Sequence, residues 1–155
     1  MDSFYDTKTS WKKLYQLGEL NRLQQNFPYV DADLHRMLVA TTVDKDDDRG
    51  VLLVGFCDVD ARDCKTRPVL PRPYVSDICV HPDYRRKGIA QALIQESERF
   101  LQKIPRSNVY IRVEESNHAA IAMYEKLRYT KTGREEADPS KKDSKTILVL
   151  QKEFH

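Results

Sequence analysis

The chain has 155 residues, 26 Lys and Arg against 24 Asp and Glu, 40% hydrophobic and 9% aromatic residues, and only 5 Gly and 7 Pro. This composition excludes collagen-like, low-complexity and disordered classes, and a chain of this length buries roughly 68–70% of its unfolded surface, so a single domain over 1–155 is expected. A formal charge of +2 gives no global basic field, and the longest apolar run, Val51 to Val54, is far short of the ~20 residues that cross a bilayer, so neither nucleic acid nor membrane is an expected partner.

The first thirty residues place Trp11, Leu14, Leu17, Leu20 and Leu23 at helical spacing, with Ser10 as a possible N-cap and Gly18 as a weak point, so one broken helix or two short ones end at Pro28. Nothing near Met1 reads as a charged-then-apolar signal segment. Leu34 to Thr42 is a predicted strand, followed by an acidic turn, Asp44 to Asp48. Val51 to Val59 is a second strand, interrupted by Gly55, and Arg62 to Pro73 connects it to a third, Tyr74 to Val80, which could pair with it antiparallel.

From Lys87 to Ile104, the residues Ile89, Ala90, Leu93, Ile94, Ser97, Phe100, Leu101 and Ile104 form the stripe of an amphipathic helix that Pro105 stops. Val109, Ile111 and Val113 alternate with Tyr110, Arg112 and Glu114, which predicts a two-faced strand over 108–114. A second helix is expected over Asn117 to Leu127, capped by Ser116 or Asn117. Strands at Tyr129 to Gly133 and Thr146 to Lys152 close the chain, joined by a polar loop over Glu135 to Lys145. The result is an α/β (α+β) fold with a mixed, mostly antiparallel sheet, and its strand–helix–strand crossover through 87–104 should be right-handed with parallel strands.

Cys57, Cys64 and Cys79 are odd in number, lack a Cys-x-x-Cys pair and lie in or near apolar runs, which suits reduced thiols inside a cell. The cysteines and the four histidines lack zinc spacing, so no metal is expected, and His81 and His118 read as loop residues.

Chemistry concentrates in Val80-His81-Pro82-Asp83-Tyr84-Arg85-Arg86-Lys87-Gly88-Ile89-Ala90, where a strand ends, a basic loop follows and a helix begins. Free N–H groups and a partial positive charge at a helix start suit a phosphate, although three basic residues alone are more readily a solvated turn. Arg85, Gly88 and Ala90 in the pattern Arg-x-x-Gly-x-Ala, after a strand, resemble the coenzyme A pyrophosphate loop of the GNAT superfamily of N-acetyltransferases. About thirty residues on, Ser116-Asn117, an Ala-rich helix and Tyr124-Glu125-Lys126-Leu127 are similar to that family's second cofactor segment.

The resemblance covers roughly residues 74–130, implies a GNAT-like sheet of six to seven strands and implies acetyl-CoA as acetyl donor. It implies that the amides of Arg86, Lys87, Gly88, Ile89 and Ala90, with Arg85, hold the pyrophosphate, and that Ile78, Cys79 and Val80 run beside the pantetheine in a splay between strands 74–80 and 108–114. Asn117 would bond the cofactor arm, or act as a helix cap only, and Tyr124 would point at the sulfur and protonate it. A backbone N–H of 78–80 would polarise the carbonyl. The acceptor amine attacks only when neutral, so a base is wanted. At the positions where many members carry Glu, this chain has Tyr74 and Arg112, which leaves Tyr74 or Asp77 as the candidate base, with Glu114 and Glu115 nearby. Arg128 stands where the family usually has Gly before an aromatic residue.

The expected activity is direct acetyl transfer to a protein N-terminal amine, a lysine or a small amine, with ping-pong transfer through Cys79 as the lesser variant. The alternatives are an acyl-CoA-binding regulatory module with the same fold, and a nucleic-acid-binding domain using Arg85-Arg86-Lys87, which the small net charge disfavours. Acceptor choice is expected in residues 5–33 and 134–145, where Asp31, Asp33, Glu135 and Glu136 are either attractive to a cationic amine or simply solvated. A cytoplasmic monomer or homodimer is expected, with plastid or another organelle open if the N-terminus is trimmed.

Overall fold

A computed structural model describes residues 33–43, 50–63 and 71–154. The helix expected around Trp11 to Leu23, the acidic turn at 44–48 and Cys64 lie outside the described residues. The described chain runs β1 (His35–Val43), β2 (Val51–Asp60), β3 (Tyr74–Val80), a 3-10 turn (Pro82–Tyr84), α1 (Ile89–Leu101), β4 (Asn108–Glu114), α2 (His118–Lys126), β5 (Thr130–Glu135) and β6 (Ile147–Glu153). The six strands form one sheet in the order β1-β2-β3-β4-β6-β5. All neighbours are antiparallel except β3 and β4, the parallel pair on either side of the α1 crossover.

The buried core joins Leu93, Ile94 and Leu101 of α1, Tyr124 of α2 and the alternating Val109, Ile111 and Val113 of β4. The opposite alternation of β4, Tyr110, Arg112 and Glu114, faces away from that core and is half-buried. Tertiary packing therefore selects the same faces that helical and period-two spacing marked out.

α1 ends at Leu101, not Ile104. Pro105 disfavours helical backbone at the residue before it. The last turn tightens instead, with Lys103 N–H donating to Phe100 O (3.2 Å) and Ile104 N–H to Leu101 O (3.0 Å). Ile104 still packs against the core, through a turn rather than a helix.

α2 ends in a Schellman motif, with Tyr129 N–H donating to Tyr124 O (3.0 Å) and Arg128 N–H to Glu125 O (2.9 Å). The rings of Tyr124 and Tyr129 supply the accompanying apolar contact, edge to face at 5.8 Å. Arg128 occupies the left-handed position at φ 70°, so the turn survives the departure from glycine at a cost in backbone strain. Arg128→Gly is expected to stabilise the protein by up to about 1 kcal/mol, read as a rise of a few degrees in melting temperature.

Tyr129 is buried and donates to Glu98 Oε1 at 3.0 Å, while Lys152 Nζ donates to Glu98 Oε2 at 2.7 Å. A buried carboxylate is thereby neutralised, and α1 is fastened to β6 and to the segment after α2.

Candidate functional site

β3 and β4 share only two register pairs, Tyr74 with Tyr110 and Val75 with Ile111. Beyond Val75 the strands part, so the edge of β3 facing β4 carries backbone groups without a strand partner among the described residues. Such an edge can take an extended amide-bearing ligand as it would take a strand. Ile78, Cys79 and Val80 lie on it.

A bulge shapes this strand. Phe56 faces Cys79 and Asp58 faces Ser76, so Asp77 and Ile78 together stand opposite Cys57. Asp77 sits at φ 55° and is exposed, with Ser76 Oγ 3.0 Å from its Oδ2. Simple alternation would put Asp77 on the buried side with Val75; the extra residue breaks the period of two, and Asp77 is exposed instead.

β3 runs into the basic loop. His81 caps the 3-10 turn by accepting from Asp83 N–H (3.3 Å) and packs edge-on against Tyr84 at 5.7 Å. Arg85 Nε donates to Val80 O (3.1 Å), which holds its guanidinium against the strand end, and Lys87 Nζ lies 4.8 Å from the Tyr84 ring centroid. Arg86 at φ 63° and Gly88 at φ 81° turn the backbone twice through the left-handed region. A Cβ on Gly88 would touch nothing within 4 Å, so conformation rather than space calls for glycine there.

The first helical hydrogen bond is Ala92 N–H to Gly88 O at 2.9 Å, which leaves the amides of Ile89, Ala90 and Gln91 without intrahelical acceptors. Left-handed turns followed by a helix start make an anion cradle, and Arg85, Arg86 and Lys87 surround it with positive charge. The cradle and the unpaired edge adjoin at Val80, so the residues present fit a ligand with a diphosphate at one end and an amide-bearing arm at the other. Acetyl-CoA has that chemistry.

Gly55 has a part that spacing alone did not show. A Cβ there would stand 3.0 Å from Cys79 O, 3.1 Å from Ile89 Cγ2 and 3.3 Å from Leu93 Cδ1. Its lack of a side chain lets the start of α1 press on the sheet beside β3. The available signal was a glycine inside an otherwise apolar strand.

Asn117 is the N-cap of α2, its Oδ1 accepting from Ala120 N–H at 3.2 Å. Tyr124 is 5% exposed. Its hydroxyl makes no hydrogen bond within the described residues, yet is not among the sealed polar atoms, so the ring is core while the hydroxyl keeps some exposure. Burial raises its pKa well above the ordinary phenol value, and the neighbouring Tyr74 and Cys57 add to the shift. Tyr124 therefore keeps its proton throughout the neutral range.

Tyr74 is raised too, chiefly by burial, against the pull of the Arg112 guanidinium beside its hydroxyl. Arg112 also pairs with Glu135 of β5. Glu114 and Glu115 serve elsewhere: Glu114 takes Lys145 Nζ at 2.9 Å, and Arg134 bonds Glu115 at 2.8 and 2.9 Å and holds its carboxyl below the usual range. Burial lifts the Cys79 thiol to about 11, which leaves it protonated and a poor nucleophile at neutral pH. The family resemblance singled out Arg112 only for not being a carboxylate; its place near Tyr74 follows from the pairing of β3 with β4.

The sequence model of the Acetyltransferase (GNAT) family matches residues 4–129. An acetyltransferase of Pectobacterium atrosepticum is 48% identical over 50 residues, 32% of this chain and 36% of its own length. The ribosomal protein bS18-alanine N-acetyltransferase of Escherichia coli is 38% identical over 64 residues, 41% of this chain and 43% of its own. The matches thus span about two fifths of the length of these curated relatives. Among solved structures, Arabidopsis thaliana NAA60 in complex with acetyl-CoA superposes with a TM-score of 0.69 at 19% identity, over 95% of this chain and 94% of that one. The Escherichia coli ribosomal-protein-S18-alanine N-acetyltransferase gives 0.59 at 20% identity, over 86% and 75%. These likenesses establish the mixed six-stranded architecture, and with the family match over most of its length the chain belongs to the GNAT acetyltransferase family.

Proposed function

We propose that the chain is an acetyl-CoA-dependent N-acetyltransferase that passes the acetyl group directly to a primary amine. The observation that carries this is the continuity between the unpaired edge of β3 after Val75 and the cradle of Arg86, Gly88 and the first turn of α1. Bound acetyl-CoA supplies a thioester. The cradle amides hold its diphosphate, the Ile78–Val80 edge aligns its arm and offers an N–H to the carbonyl oxygen, and the Tyr124 hydroxyl holds a proton for the departing sulfur. Tyr74 and Asp77 stand where the acceptor must shed a proton. The acceptor is a protein N-terminus, a lysine or a small amine. The structural neighbours include enzymes named for protein alanine and for spermidine, so the fold serves both kinds.

Thermal unfolding tests the cofactor assignment. Acetyl-CoA at ~100 times its Kd should add roughly 2.7 kcal/mol, several degrees in melting temperature, while ATP and a duplex oligonucleotide at two salt concentrations should not. No shift with folded protein and saturating acetyl-CoA would remove the cradle assignment. A shift with the duplex that fades at high salt would favour the nucleic-acid reading instead.

A further inference from the structure

The two edges of the sheet are built differently. β5 carries Lys131, Arg134 and Glu135 among its six residues, and Thr132 is an extra residue opposite β6, between the pairs of Lys131 with Leu150 and Gly133 with Val149. Charges and a bulge on the outermost strand keep a sheet edge from taking another strand. β1, the other end strand among the described residues, has neither over most of its length. Met37 to Val43 is a run of seven uncharged residues, and the extra residue in its pairing, Val54, belongs to β2.

Exposed apolar surface gathers on the same hairpin. Val39, Val43, Val51 and Leu53 are the large apolar side chains left exposed among the described residues, at 55%, 75%, 71% and 41%. Val43 faces Val51, Thr41 faces Leu53 and Val39 faces Phe56, so these residues share one face of the hairpin. The other alternation of β1 turns toward α1, where Arg36 lies over the Phe100 ring at 4.5 Å and, with Leu38, Arg99 and Lys103, borders a groove. Glu96 answers Arg99, and Lys103 has no ion-pair partner among the described residues, so the groove is basic.

An edge strand pairs favourably with a copy of itself about a two-fold axis when no position meets a like charge. In an antiparallel pairing centred on Ala40, Met37 meets Val43, Leu38 meets Thr42 and Val39 meets Thr41, and the same uncharged pairs recur across the axis. The next pair outward is Arg36 with Asp44, where the sequence leaves β1 for Asp44-Lys45-Asp46-Asp47-Asp48. The acidic end of each strand is thus set against the basic end of the other, beside the groove of Arg36, Arg99 and Lys103. We propose that β1 is the interface of a homodimer, in which two copies pair antiparallel through Met37 to Val43 and join their sheets into one. β2 and β3 separate this edge from the splay, so the proposal is independent of the transferase reading.

Sedimentation equilibrium of the full chain tests this at about 1 to 100 μM protein, the range of a modest interface. At the upper end the parent should weigh twice 18.1 kDa. Val39→Lys/Thr41→Lys sets lysines opposite each other on both sides of the axis and should weaken association at least about tenfold, as should Val39→Glu/Thr41→Glu. Both residues are exposed, so each variant should keep the parent's cooperative thermal unfolding. Mixed together, the two variants should dimerise again, because each Lys then faces a Glu, a result specific to a register that sets 39 against 41. A parent that stays at 18.1 kDa throughout, a dimer indifferent to the lysines, or variants that fail to combine when mixed would each overturn the proposal. If a variant does not fold, amide hydrogen exchange of the parent decides. Between the lower and the upper concentration the outward amides of Met37 to Val43 should slow at least about tenfold while those of β5 stay as they were, and equal rates at both concentrations would overturn the proposal.

Discussion

Tyr124→Phe is expected to lower kcat by about a hundredfold or more while leaving acetyl-CoA affinity and melting temperature close to those of the parent. The ring supplies the packing, buried and set edge-on against Tyr129, and phenylalanine keeps it. Only the hydroxyl is lost, and that hydroxyl has no hydrogen-bond partner among the described residues, so its removal strands no other group. An acid must hold its proton to act, and the pKa of Tyr124 is pushed far above the ordinary phenol value, so the parent's rate should show no fall on the alkaline side up to about pH 10. Steady-state kinetics with acetyl-CoA and a good acceptor, with a thermal shift alongside, would check this. A variant with unchanged kcat would remove Tyr124 as the acid, and one that no longer melts cooperatively would show the hydroxyl to be structural.

Gly55→Val should affect both stability and cofactor binding. The nearest obstacle to the new Cβ is a backbone atom, Cys79 O at 3.0 Å, which no rotamer change can move. Relief requires the β2–β3 ladder to give at Cys79 and α1, whose Ile89 and Leu93 would stand 3.1 and 3.3 Å from the new Cβ, to lift from the sheet, at a cost of about 1–3 kcal/mol, or several degrees of melting temperature at this chain length. Lifting α1 also carries the Gly88–Ala90 amides away from the edge of β3, so acetyl-CoA should bind at least tenfold more weakly. Gly133→Ala is the matching control, because its Cβ would meet Val149 at 3.4 Å, an ordinary contact, and both properties should stay near the parent's. Weakened binding at unchanged stability would contradict this coupling through α1.

Local signals account for what the sequence disclosed. The bounds of β3 and β4 follow from runs of β-branched and alternating residues, and the anion cradle is contiguous, with Arg85 to Ala90 supplying charge, left-handed turns and helix start in six positions. Element ends were less legible. Ile104 has the right spacing for α1 but lies in a turn, and β5 begins at Thr130 because Tyr129 is taken up by the Schellman motif and by Glu98. What spacing could not convey depends on pairing between distant strands: the bulge that turns Asp77 outward, the meeting of Arg112 with Tyr74, and the proximity of Gly55 to α1. None of these is written in any window of neighbouring residues.

The splay also divides the sheet mechanically. β1-β2-β3 and β4-β6-β5 are two three-stranded ribbons joined by two residue pairs and by the α1 crossover. Each ribbon keeps its own internal ladder, so a local opening that exposes amides in one need not propagate to the other, and the two can behave as separate cooperative units. A ligand lying along the seam would bond the edge of β3 and the start of α1, which packs on β1, β2 and β3, on one side, and would meet Tyr124 of α2, the helix that follows β4, on the other. Loading the site would then do more than occupy a cleft: it would weld the two units into one, and amide protons distant from any contact would become slower to exchange.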